Sequence, residues 1–71
     1  MSSHGVAEIL KDPPNWLEQS YLAGYLEGTV SLRALTWAVT AALGHSPHEW
    51  GDRLLPDVRE AVEDVKLVVW A

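Results

Sequence analysis

The residues best equipped for chemistry gather at one place. His45-Ser46-Pro47-His48-Glu49 sets two imidazoles and a carboxylate within one short stretch, and Asp52 follows one helical turn after His48. Imidazole and carboxylate suit a divalent metal, but helical metal sites generally place two ligands on one face and add a third from elsewhere. Here Pro47 separates the two imidazoles across a helix start. No third imidazole or thiolate is placed to complete a site, the remaining His being His4 and cysteine being absent. The stretch reads as a capped helix start with exposed imidazoles, and neither a metal nor another cofactor is expected. The chain also lacks a nucleophile motif, a glycine-rich phosphate loop and a carboxylate pair framed by apolar residues. Glu60, Glu63 and Asp64 read as a solvated helix face. Catalysis is not expected from this inventory.

The aromatic residues point elsewhere. Four Trp and no Phe occur in 71 residues, and Trp buries much area at low entropic cost when proteins associate. Trp37 and Trp50 lie inside helical patterns and are expected in the core. Trp16, beside a helix start, fits either the core or a contact. Trp70 belongs to the uncharged run Leu67-Val68-Val69-Trp70-Ala71, where a chain end usually meets water. That run folds back on the core, extends as a strand or meets a partner. Trp70, Val68 and Leu67, with Trp16, are the candidate partner-binding residues.

A second arrangement competes with this one. From Val39 an alanine-rich helix ends in Leu43-Gly44, turns, and is followed by a Ser46-Pro47-capped helix that holds Trp50. This resembles the central motif of phage-repressor-type helix-turn-helix DNA-binding domains, over residues 39–54. The resemblance implies Gly44 in the turn, Trp50 as the buried residue of the second helix, and DNA contacts from His48 and Arg53. Thr40 departs from the alanine usual at the packing position. Glu49 and Asp52 on the same helix are repelled by phosphate.

The elements that would position these residues are all helical. Val6, Ile9 and Leu10 share a face of a first helix that Ser2 or Ser3 can cap, and Asp12-Pro13-Pro14 ends it. Asn15 with Glu18 reads as a capping box opening a second helix, with Leu17, Tyr21, Leu22, Tyr25 and Leu26 on its inner side and Gly28 as its terminator. Residues 31–43 carry one charge, Arg33, and repeat Leu32, Leu35, Val39 and Leu43 on one face. A stretch so apolar on nearly every side is expected to be the buried central helix, capped by Ser31 and ended by Gly44. Gly24 and Gly28 are expected to pack as a small ridge against Ala34, Ala38 and Ala42. Pro56 is expected to kink the last helix or start a new one. Beyond it Val58, Ala61, Val62, Val65 and Val69 form a clean stripe.

The pattern predicts one all-α domain over 1–71, a small bundle of four to five short helices around the central apolar helix 31–43. Its charge of −5 disfavours nucleic acid and anionic membrane surfaces. No signal peptide or membrane-length apolar run is evident, so a cytoplasmic location is expected, and the residue usage is that of GC-rich bacteria or their phages. A domain this small, with no cysteine, relies on dense packing or association. The expected function is a non-catalytic protein-binding module, an inhibitor, adaptor or assembly subunit, with self-association as its nearest variant and the helix-turn-helix regulator as the alternative.

Overall fold

A computed structural model describes residues 5–70, the side chains of 67–70 excepted. The expected contact residues Trp70, Val68 and Leu67, and the caps Ser2 and Ser3, therefore lie outside the described side chains. Among the described residues the fold is an all-α bundle of four helices.

α1, Val6–Lys11, starts after Gly5, whose left-handed φ of 80° provides the entry, and Ile9 N–H donates to the Gly5 carbonyl. It ends where Pro13 and Pro14 cannot continue a helix. Val6 and Leu10, one turn apart, are both buried.

α2 is built in three pieces, Asn15–Leu17, a π-helical turn Glu18–Leu22, and Ala23–Glu27. The expected capping box does not form. Asn15 lies inside the helix after Pro14, and its side-chain oxygen instead accepts from Gln19 Nε2 at 2.9 Å. The π turn has a visible cause. Leu17 and Leu22 are both buried, yet residues five apart in a regular α-helix point about 140° away from one another. Wider winding, with Ala23 N–H donating to the Glu18 carbonyl, brings both onto the core side.

The α2 terminus also corrects the expected glycine ridge. Thr29 N–H and Val30 N–H both donate to the Gly24 carbonyl and Gly28 N–H to that of Tyr25, while Gly28 takes φ 91°. This closes the helix with a left-handed residue and back-directed bonds. A Cβ on Gly24 would collide with the Val30 side chain. Gly24 is small because the returning loop, through Thr29 and Val30, lies on it.

α3, Leu32–Ala42, is capped as expected: Ser31 Oγ accepts from Ala34 N–H at 3.1 Å. Gly44, at φ 85°, ends it with the same bonding pattern, Gly44 to Ala41 and His45 to Thr40. α3 touches each of the other three helices, so the central position holds. Its burial is one-sided, however. Leu35, Thr36, Val39 and Thr40 are buried, while Arg33, Trp37 and Ala41, spaced one turn apart, face outward. The buried hydroxyls are satisfied within the helix, Thr36 donating to the Leu32 carbonyl and Thr40 to that of Thr36 at 2.7 Å, so neither pays the desolvation cost of an unpaired group.

α4, Pro47–Trp70, is one long helix rather than one of several short ones. Pro56 does not start a new helix. It is exposed, as is Asp52 one turn earlier, so the carbonyl that loses its amide partner is on the water side. The buried Leu54, Val58 and Val62 span the proline and hold both halves on α1 and α3. Helical backbone continues through Trp70, so the C-terminal run is not an extended strand. Among the described residues no helix is long and apolar enough to cross a membrane.

A candidate binding groove between α3 and α4

Leu35, Val39, Leu54 and Val58 are each no more than 1% exposed, and each such side chain contributes about 1.5–3 kcal/mol by burial. They fix how α3 and α4 lie together, and what remains outside the seam is an open groove of about 460 Å³. Its volume falls in the range of small ligand or side-chain pockets. Arg33, Ala34 and Trp37 form the α3 wall; Pro47, His48, Gly51 and Leu55 form that of α4.

Trp37 is the main correction to the sequence reading. Expected in the core, it is 49% exposed, and the edge-to-face contact with His48, ring centroids 5.1 Å apart at 84°, holds the ring against α4. The only charged residue of α3 shares its outward stripe. Arg33 Nη2 reaches Asp52 Oδ1 across the groove mouth at 3.6 Å, with both side chains largely in water. Such a pair contributes little to stability, so a competing charge displaces it at small cost.

Trp50, the other expected core residue, is only half-buried. It packs on the core rim, its ring stacked on His45 at 4.5 Å, with the Arg53 guanidinium 5.3 Å from the ring centre. His48 and Arg53, paired by the helix-turn-helix reading, are thus on different sides of α4, one at the groove and one on Trp50. Trp16 is 48% exposed and meets Tyr21 edge-on at 6.2 Å, beside the π turn. Among the described residues no group of three or more metal-ligating side chains comes together, and no buried side-chain polar atom lacks a hydrogen-bond partner.

Sequence reasoning missed the groove because its parts were taken separately. A signal was present: Arg33 marks the solvent side of α3, and Trp37 lies one turn from it on the same stripe. Gly51, mid-helix, was the other. The arrangement is that of a small helical bundle with a half-exposed Trp at an interhelical groove. No protein-family profile, curated protein or solved structure matches the chain.

Proposed function

We propose that this domain is a non-catalytic protein-binding module that takes apolar side chains of a partner protein into the α3–α4 groove. The observation that carries the reading is Trp37. A large indole standing half in water, in the most apolar helix of the chain, gives up burial that the fold could have used. Trp is, with Tyr and Arg, among the residues enriched as energetic anchors of protein interfaces. The charge of −5 favours a neutral or basic partner over an acidic one. Trp16 offers a second, smaller exposed aromatic.

The connectivity of α3, the turn at 43–46 and α4 supports the helix-turn-helix reading as the second. Against it, Glu49 and Asp52 face outward near the start of α4, and Arg53 lies on Trp50. The deciding experiment identifies the partner by affinity capture and then titrates the purified pair by calorimetry. Trp37→Ala is expected to weaken binding by about 2–4 kcal/mol while the variant still melts cooperatively. Unchanged affinity for Trp37→Ala removes the groove from the interface.

A further inference from the structure

Gly51 has no reason within the fold to be glycine. It lies in the second turn of α4 and is not among the glycines at positive φ, which are Gly5, Gly28 and Gly44. A Cβ built there meets nothing within 4 Å. Alanine would strengthen the helix at this position, and no packing opposes it. Yet Gly51 lines the groove. His48, Gly51 and Leu55 follow one another at helical spacing, as do Ala34 and Trp37 on α3, so both walls are helix faces. From Pro47 to Leu55 the groove is about 12 Å long at the helical rise, or some two turns.

We infer that the groove seats an amphipathic α-helix of a basic partner protein, whose backbone passes closest to this chain over Gly51. The inference rests on the groove reading given above. Two helix faces with small residues between them offer the ridges and the groove into which a third helix packs. Its apolar side chains, at i, i+3 or i+4 and i+7, lie against Trp37 and Leu55. Charge selects the partner. At the groove Arg33 and Asp52 pair with each other, so the charge that acts on a partner is that of the whole chain, −5, which a second copy would repeat. A helix with Lys or Arg at its outer positions meets complementary potential instead.

The test is a display selection of randomised helical peptides against the full chain, with the selected peptides measured by fluorescence anisotropy. Each is titrated into wild type, Gly51→Ala, Gly51→Leu and Trp37→Ala, all checked for cooperative melting. The expected peptides carry apolar residues at helical spacing and a net positive charge. They lose at least roughly tenfold in affinity on Gly51→Leu, and less on Gly51→Ala, as an anchor contact does when blocked. Peptides weakened by Trp37→Ala but indifferent to both Gly51 variants overturn the helix over Gly51 and leave the groove reading standing. Peptides indifferent to all three variants overturn both. Selected peptides without helical spacing or positive charge overturn the stated partner chemistry. A wild-type dimer in sedimentation equilibrium that Gly51→Leu dissociates assigns the groove to a second copy, and overturns it too.

Discussion

Replacing Gly51 by alanine adds one methyl group at a position where the protein offers it open space. In a helix interior the exchange gains about 0.8–1 kcal/mol from backbone entropy and hydration. No neighbour lies within 4 Å of the new carbon, so the overpacking cost that usually offsets such a gain is absent. At about 4–8 °C per kcal/mol for a domain of this size, the melting temperature should rise by roughly 3–8 °C. Thermal unfolding followed by circular dichroism at the helix band measures it directly. Two other glycines provide the contrast. Gly24→Ala carries the same helical gain but drives a methyl into Val30, and should destabilise by about 1–3 kcal/mol. Gly44→Ala places a side chain at φ 85°, at a cost of about 1–2 kcal/mol. A Gly51→Ala protein that melts at or below wild type would show that the fold itself needs this glycine, and the reasoning that assigns it to a partner would fail.

Leu35→Asp or Val39→Asp places a carboxylate at a site with no exposure. The several kcal/mol of an unpaired buried charge, set against a total stability of about 5–10 kcal/mol, should abolish the cooperative melt. Trp16→Ala should leave the melting temperature within a few degrees of wild type, because the indole is half exposed; a large drop would move Trp16 into the structural core. In a gel shift at micromolar protein and physiological salt, duplex DNA should not bind. A shift abolished by Arg53→Ala would instead promote the helix-turn-helix reading.

What the sequence made legible was local chemistry. Ser31 caps α3, Gly28 and Gly44 terminate helices, and Val58 and Val62 face inward, because each depends on neighbours within one or two turns. What it hid were decisions made between helices. Ala34, Trp37 and Ala41 are as apolar as the inner residues, so periodicity could not show that α3 has an outer side; only contact with the other three helices assigns it. Pro56 looked like a break because the burial of Leu54 and Val58 on either side of it is a tertiary fact. Gly24 looked like a helix-packing residue because the loop that returns over it, through Thr29 and Val30, cannot be seen in the spacing. The groove shares this origin, since Trp37 and Gly51 meet only when two helices are laid side by side.

The π-helical turn of α2 has a consequence for changes in chain length. Removing a residue from inside a regular helix rotates everything before it by about 100° relative to everything after. Deleting Arg59 from α4, for instance, would turn the buried Leu54 and Val58 by about 100° relative to Val62, so the two halves could not both keep their places in the core. The π turn already contains one residue more than an α-turn. Loss of the exposed Ser20 would bring Leu17 and Leu22 to a spacing of four, which an ordinary α-helix keeps on one face. Both leucines would still meet the core, with the helix shorter by about 1.5 Å. Here a deletion simply relaxes the winding, so α2 can absorb a one-residue deletion that the helix interior of α4 cannot.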